Sequence, residues 1–285
     1  RVLFRSGKST IFNRLTGLNQ HTGNWPGKTV AIAEGSYIYK DNKFTLIDIP
    51  GTYSLMANSV EEEVARDFIC FGNPDVTVVV VDATCLERNL NLVLQTLEIT
   101  SNVIVCVNLM DEAKRKKINL DLDKLASELG VVVVGTSANK GKGLDDLINT
   151  IYEKTISNES KNVIKIRYDE EIEDAISKIE ELLNQIDLKS INKRWMAIKL
   201  LDGDKSLLNS INKFLQIDFN NYDELNNGIL EVKKRLLDKG ITDDDIRDKI
   251  VSNIVNTAED VSKKVFSLNN DKYNMDIEKS LNNEQ

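Results

Sequence analysis

The sequence predicts an α/β unit with a mixed, mostly parallel sheet over residues 1–157, followed by a small all-α unit over residues 158–268. Two observations support this division. Up to Ser157, short apolar runs alternate with amphipathic segments, which is typical of strands that alternate with helices. Beyond the polar stretch 158–162, apolar residues recur at helical spacing. The last residues, 269–285, are rich in Asn, Asp, Lys and Glu and are expected to form a mobile tail or a linker.

Five strands are predicted in the α/β unit. The first two, residues 29–39 and 43–49, flank a turn at Asp41-Asn42 and are expected to pair as a hairpin. The other three are continuous apolar runs, which are typical of buried strands in a parallel sheet. These runs are residues 76–81, 103–107 and 131–134.

Helices are predicted wherever apolar residues recur at intervals of three and four. In the α/β unit these segments are residues 9–15, 61–71, 89–100, 122–129 and 144–156. In the second unit, apolar stripes begin at Ile172, Leu225 and Ile246. Ser59 and Thr242 each precede an acidic residue three positions later, and both are predicted to cap a helix.

The composition excludes some classes of protein. A net charge of -8 argues against a general nucleic-acid binder, because such proteins need clustered Lys and Arg. No apolar run approaches the roughly 20 residues that span a bilayer, so this part of the chain is expected to be soluble. The three cysteines, Cys70, Cys85 and Cys106, lie in apolar surroundings without a Cys-x-x-Cys spacing, and are predicted to be buried reduced thiols.

The first chemical motif is Gly7-Lys8-Ser9-Thr10 at the start of the first predicted helix. Backbone N–H groups from Ser6 to Thr10 at a helix N-terminus suit a phosphate group. Lys8 is predicted to reach the β- and γ-phosphates, and the Ser9 hydroxyl to bind Mg²⁺. This is the second half of a P-loop, so the α/β unit is predicted to have a Ras-like fold.

The phosphate end has two further predicted components. Asp48 ends an apolar strand and is expected to hold Mg²⁺ through water, while Gly51 turns its N–H toward the γ-phosphate. Thr29 is the expected switch I residue, with its hydroxyl on Mg²⁺ and its backbone near the attacking water. Gly27 lies in the glycine-flanked loop before it. Lys8, Thr29 and Gly51 are the predicted catalytic residues.

The base end follows the next strands. Asn108, Met110 and Asp111 come directly after the run 103–107, and the Asp111 carboxylate suits the N1–H and exocyclic amine of guanine. Thr136, Ser137 and Ala138 follow the next strand. The Ala138 N–H is predicted to donate to guanine O6, where adenine presents an amine. The pattern therefore favours GTP and GDP over adenine nucleotides.

The amino-terminal half of the P-loop departs from the Gly-x-x-x-x-Gly-Lys-Ser/Thr pattern. Val2 occupies the place of the first glycine, and only six residues precede Gly7. We expect residues to be missing or altered before Gly7. The residue after Gly51 is Thr52, where Ras-like proteins carry the glutamine that orients water, so intrinsic GTP hydrolysis is expected to be slow.

The chain resembles the N-terminal cytosolic domain of the FeoB family of prokaryotic ferrous iron transporters over nearly its whole length. The resemblance rests on residues 7–17, on Gly23-Asn24-Trp25-Pro26-Gly27, on Asp48-Ile49-Pro50-Gly51-Thr52-Tyr53-Ser54-Leu55 and on Asn108-Leu109-Met110-Asp111-Glu112. In the second unit, residues 194–204 resemble that family's helical domain, a module similar to a guanine-dissociation inhibitor. Trp195 in this segment is expected to be part of the helix core.

The resemblance implies a GTPase joined to a membrane domain that carries Fe²⁺, on the cytoplasmic face of the bacterial inner membrane. It also implies small companion proteins of the iron-uptake system as partners and leaves a homo-oligomer open. The family's phosphate loop usually carries an Asn that helps to bind an activating K⁺. Arg5 stands at that position here and offers a cation where one would bind, which puts potassium activation in doubt.

Two alternatives share the pocket motifs. A soluble GTPase of ribosome or tRNA maturation would require an added basic domain, which the acidic balance disfavours. A nucleotide-gated interaction module would bind GTP with negligible turnover and change only its affinity for partners.

Overall fold

The computed structural model describes residues 6–17, 20–24, 30–56, 59–157 and 163–266. The first unit contains, in chain order, α1 (Lys8–Thr16), β1 (Gln20–Asn24), β2 (Ala31–Tyr39), β3 (Asn42–Asp48), α2 (Val60–Phe71), β4 (Thr77–Asp82), α3 (Leu86–Ile99), β5 (Val103–Asn108), α4 (Met110–Arg115), α5 (Leu122–Leu129), β6 (Val132–Gly135) and α6 (Leu144–Ile156). The second contains α7 (Glu170–Leu182), α8 (Lys193–Asp202), α9 (Lys205–Leu215), α10 (Asp223–Asp238) and α11 (Asp243–Val265).

The described strands form two three-stranded sheets. In one, β1, β2 and β3 are antiparallel neighbours, and the turn between β2 and β3 places Lys40 and Asp41 at φ angles of 49° and 61°. Positive φ at both positions is the geometry of a type I′ hairpin. In the other sheet, β4, β5 and β6 are parallel. The predicted α/β fold, the hairpin and the three parallel runs are confirmed, and β1 adds a strand that was not predicted. The hairpin turn was predicted at Asp41-Asn42 but lies at Lys40-Asp41, because Asn42 already pairs with Tyr39.

Helix α1 joins the two sheets through a shared core. Its Ile11 and Leu15 side chains pack with Ile104 and Cys106 of β5, while Phe44 of β3 packs against the same cluster. Among the described strands, β3 pairs only with β2 and β4 only with β5, so the facing edges of β3 and β4 border an apolar groove beneath α1. The P-loop helix therefore rests on residues from both sheets.

The second unit is helical, as predicted, and packs on the first through α3 and α11. Trp195 is 3% exposed and belongs to the core. Thr242 caps α11 in a complete capping box with Asp245, which confirms that prediction, and the Ser59 hydroxyl accepts from the N–H of Glu62 at the start of α2. Helices α4 and α9 were not predicted. No described helix is long and apolar enough to cross a membrane.

Polar contacts also join the two units. The Arg66 side chain of α2 is 1% exposed and lies 3.1 Å from Asp204 at the start of α9. The Tyr168 hydroxyl donates to Glu98 of α3 over 2.6 Å. A buried charge or carboxyl is costly unless it is paired, so these contacts specify how the helical unit sits on α2 and α3.

One cysteine prediction needs correction. Cys70 and Cys106 are buried free thiols, as expected, but Cys85 is only partly buried. It occupies the residue before α3, where the chain reaches the surface after β4.

The domain boundary at residues 157 and 158 adjoins residues outside the described ranges and stays a prediction, as do the roles of the P-loop residues 2–5 and the tail from residue 269.

Candidate nucleotide-binding site

The predicted site residues meet at one edge of the α/β unit. Asp48 ends β3, Asn108 ends β5, and Thr136 follows β6 directly. The carboxyl ends of the parallel strands β5 and β6 lie at the same edge. Asn108 contacts Ser6 beside the start of α1, and Lys8 of α1 contacts Asp48 at the end of β3. Motifs that are far apart in the sequence therefore form one surface.

The Asn108 side chain connects three of the loops. It is 1% exposed at the end of β5, a strand whose six residues are all buried. Its Nδ2 donates to the carbonyl oxygen of Ser6 over 2.8 Å. Its Oδ1 accepts from the Thr136 hydroxyl over 2.9 Å and from the Ala138 N–H over 3.0 Å. One amide thus joins the phosphate loop to the loop after β6.

Gly7 has a conformation and an environment that only glycine suits. Its φ is +79°, and it forms the N-cap of α1. A Cβ built on it would lie 2.2 Å from the Asn108 Nδ2 atom. Backbone with positive φ is strained for L residues, and a contact this short cannot be accommodated without displacing Asn108.

At the phosphate end, the structure brings Lys8 and Asp48 together. The Lys8 Nζ lies 2.6 Å from the Asp48 Oδ1 and also donates to the carbonyl oxygen of Ile49. Ser9 is exposed on the first turn of α1, and Thr10 is half-buried. Gly51 is exposed, and a Cβ there would meet nothing within 4 Å. The loop after β3 thus has room to move beside Lys8.

At the base end, Asp111 lies on α4 with its carboxylate at the surface. Its backbone N–H donates to the Ser137 hydroxyl over 3.1 Å, and the N–H of Met110 donates to the Thr136 carbonyl over 3.1 Å. The Lys140 Nζ lies 2.9 Å from Asp111 Oδ2. The hydrogen bond from Lys140 lowers the pKa of Asp111 below its usual value.

Sequence reasoning missed Lys140 and placed Ala138 differently. Lys140 lies in the short turn after Ala138, and the sequence of a polar turn does not predict which carboxylate its lysine will contact. The Ala138 N–H, which was predicted to face guanine O6, donates to Asn108 in the structure. Thr136 is 1% exposed and also lies 3.4 Å from the Cys106 thiol, whose pKa burial raises to about 11. The predicted residues Gly27 and Thr29 lie outside the described residues.

Family models cover most of the chain. The model described as ferrous iron transport protein B matches residues 4–151, and that of the FeoB cytosolic helical domain matches residues 168–267. The chain belongs to the FeoB family. Its first unit is the Ras-like G domain of that family and its second unit is the helical domain.

Curated relatives carry the same name. The Fe(2+) transporter FeoB of Methanocaldococcus jannaschii is 43% identical over 82% of this chain and 36% of its own length. The Fe(2+) transporter FeoB of Escherichia coli K12 is 38% identical over 70% of this chain and 26% of its own length. The chain thus spans about a quarter to a third of the FeoB relatives that it matches.

Solved FeoB structures share the fold. The GMPPNP form of the cytosolic domain of T. maritima FeoB has a TM-score of 0.74 and 33% identity, covering 92% of this chain and 95% of that one. The cytosolic domain of L. pneumophila FeoB has a TM-score of 0.75 and 26% identity, covering 92% of this chain and 96% of that one.

Substitution of Gly7 tests the packing of the phosphate loop on Asn108. We expect Gly7→Ala to lower the free energy of unfolding by about 2–3 kcal/mol, from positive-φ strain and the clash with the Asn108 amide. The matched control is Gly141→Ala, at a similar left-handed conformation (φ +69°) with nothing within 4 Å of the added Cβ, which should cost about 1 kcal/mol. Urea unfolding measures both, and equal losses would contradict the clash.

Proposed function

We propose that this chain binds GTP and GDP with Mg²⁺ and hydrolyses GTP slowly, as the G-domain portion of a ferrous iron transporter. The observation that supports this best is the Asn108 amide, whose three hydrogen bonds place the phosphate loop beside both base loops. The GDP and GMPPNP forms of related FeoB domains support the same ligand class.

Guanine recognition rests on Asp111. An ionised carboxylate accepts from both N1–H and the exocyclic amine of guanine, whereas adenine offers neither donor in that arrangement. Lys140 pairs with the Asp111 carboxylate, and guanine would share this carboxylate with it. Met110 and Ser137 hold the two base loops against each other, and the Ala138 N–H holds the loop after β6 on Asn108.

Phosphate and magnesium binding rest on α1 and the end of β3. The N–H groups of residues 6–10 and the Lys8 ammonium would hold the β- and γ-phosphates at a helix N-terminus. Ser9 and Asp48 offer a hydroxyl and a carboxylate oxygen, the donors that Mg²⁺ prefers, and the Asp48 carboxylate, paired with Lys8, faces this end of α1. Thr29 is the proposed third oxygen donor.

The proposal also extends to the whole protein, of which this chain spans part of the length. Because FeoB relatives are Fe(2+) transporters of which this chain matches about a third or less, we propose a membrane domain elsewhere in the protein that carries the iron. The G domain then lies on the cytoplasmic face of the membrane, where it meets GTP. Companion proteins of iron uptake and a homo-oligomer are further proposals that rest on the family resemblance.

Calorimetric titration with GDP and ADP tests the nucleotide specificity. We expect GDP to bind at least about 100-fold more tightly, because adenine leaves the Asp111 carboxylate unpaired. Asp111→Asn should lose most of that preference, while Glu112→Gln, which alters the next carboxyl on α4, should keep it. Equal affinity for GDP and ADP would refute the proposal.

Single-turnover hydrolysis of GTP tests the enzymatic part. We expect a rate constant near the low intrinsic values of GTPases without a partner, on the order of 10⁻⁴ to 10⁻² per second, because Thr52 does not replace the water-orienting glutamine. Chelation of Mg²⁺ should abolish turnover, and K⁺ should accelerate it no more than Na⁺. Unaided turnover at about 1 per second would contradict this account, and a specific effect of K⁺ would refute the argument from Arg5.

A further inference from the structure

The loop that follows Gly51 is attached to α3 by one buried side chain. Gln95 of α3 is 9% exposed, and its Oε1 accepts from the Leu55 N–H over 2.6 Å and from the Ser54 hydroxyl over 3.3 Å. Since the Leu55 N–H is a donor, the group that faces it is the amide oxygen. The Leu55 side chain is itself 3% exposed and packs in the main core. The far end of the loop is therefore fixed in the protein interior.

The loop between Gly51 and Leu55 has internal hydrogen bonds. They connect Leu55, which Gln95 holds, to the residues nearer the phosphate end. The Thr52 hydroxyl donates to the Ser54 carbonyl over 2.5 Å and accepts from the Ser54 N–H over 3.2 Å. The Ser54 hydroxyl accepts from the Met56 N–H over 3.0 Å. Residues 52–56 thus form a hydrogen-bonded turn, and Gly51 lies exposed just before it.

Helix α3 holds the same loop a second time and also contacts the helical unit. The Arg88 guanidinium lies 4.8 Å from the centre of the Tyr53 ring. Gln95 and Ile254 of α11 line one cleft between α3 and α11.

We propose that Gln95 is a positioning residue for the loop that presents the Gly51 N–H to the γ-phosphate, an inference that rests on the proposed GTP binding. Gln95 holds Leu55 in place while Gly51 turns, so that the N–H reaches one defined position when a γ-phosphate is present. GDP has no γ-phosphate and does not use this contact. The Gln95 side chain therefore matters for GTP and GMPPNP and not for GDP.

Three variants of the 285-residue chain test this assignment. Gln95→Met keeps the length of the side chain and removes the acceptor, and Gln95→Glu keeps an acceptor oxygen. Asn91→Ala alters the residue one turn earlier on α3 that lines the same cleft. Calorimetry with GDP and GMPPNP, single-turnover hydrolysis of GTP and thermal unfolding are measured for each.

We expect Gln95→Met to leave the Kd for GDP within about twofold, to raise the Kd for GMPPNP about fivefold and to slow hydrolysis about tenfold. Gln95→Glu and Asn91→Ala should stay within about threefold of the parent protein in all three. If Gln95→Met does not fold, Gln95→Asn, whose amide is one methylene too short to reach Leu55, takes its place with the same expected pattern.

Three results would count against the assignment. Equal losses for GDP and GMPPNP would show a purely structural role, and unchanged GMPPNP binding and hydrolysis would show no role. Failure of Gln95→Glu to restore hydrolysis would also count against the acceptor oxygen. If the parent protein binds neither nucleotide, the proposed function fails first, and that result is distinct because it is seen without any substitution.

Discussion

The hydrogen bonds of the Asn108 amide are the interaction on which the site depends. A buried amide with an unpaired donor or acceptor costs about 1–3 kcal/mol, and Asn108 avoids that cost only while Ser6, Thr136 and Ala138 keep their places. Its own position is set by β5, the central strand of the parallel sheet, whose residues are all buried. Strand β5, whose residues are all buried, thus fixes the distance between the beginning of α1 and the loop after β6.

The charges of the site are arranged around this amide. Each carboxylate that the nucleotide would need has a lysine partner: Lys8 beside Asp48 at the phosphate end, and Lys140 beside Asp111 at the base end. On nucleotide binding, Mg²⁺ would bind Asp48 and guanine would bind Asp111, while Lys8 would bind the phosphates. The two ends differ in burial, because Asp48 Oδ1 is enclosed and the Asp111 carboxylate is at the surface. Breaking the Lys140–Asp111 pair costs little. The Lys8–Asp48 pair is also partly exposed, and a cation bound at Asp48 would replace the Lys8 ammonium there.

Much of the fold could be predicted because apolar runs and helical stripes are local signals. The parallel strands, the hairpin and the capped start of α11 all follow from residues close in sequence. Strand β1 could not be predicted, because Gln-His-Thr-Gly-Asn has neither alternation nor branched apolar residues, and only pairing with β2 makes it a strand. Helix α4 has six residues, too few for a periodic pattern.

The site could be predicted in its residue types more than in its contacts. Lys8, Asp48, Asn108 and Asp111 could be proposed because each motif follows a predicted strand or begins a helix. The partners of Asn108 and the attachment of Leu55 to Gln95 join residues 28 to 102 positions apart. No spacing rule reports such pairs, since they depend on how β5, α1 and α3 pack together. The ion pair between Arg66 and Asp204, which joins the two units, could not be predicted for the same reason.

The affinity of an Asn108→Ala variant for GDP tests the central claim most directly. Loss of the three hydrogen bonds should release both loops and raise the Kd for GDP about 100-fold or more in calorimetry, with the protein still folded by circular dichroism. Asn139→Ala, which alters an exposed side chain in the loop after β6, is the matched control and should bind GDP as the parent protein does. A Kd for Asn108→Ala within about threefold of the parent value would contradict the claim that this amide holds the site together.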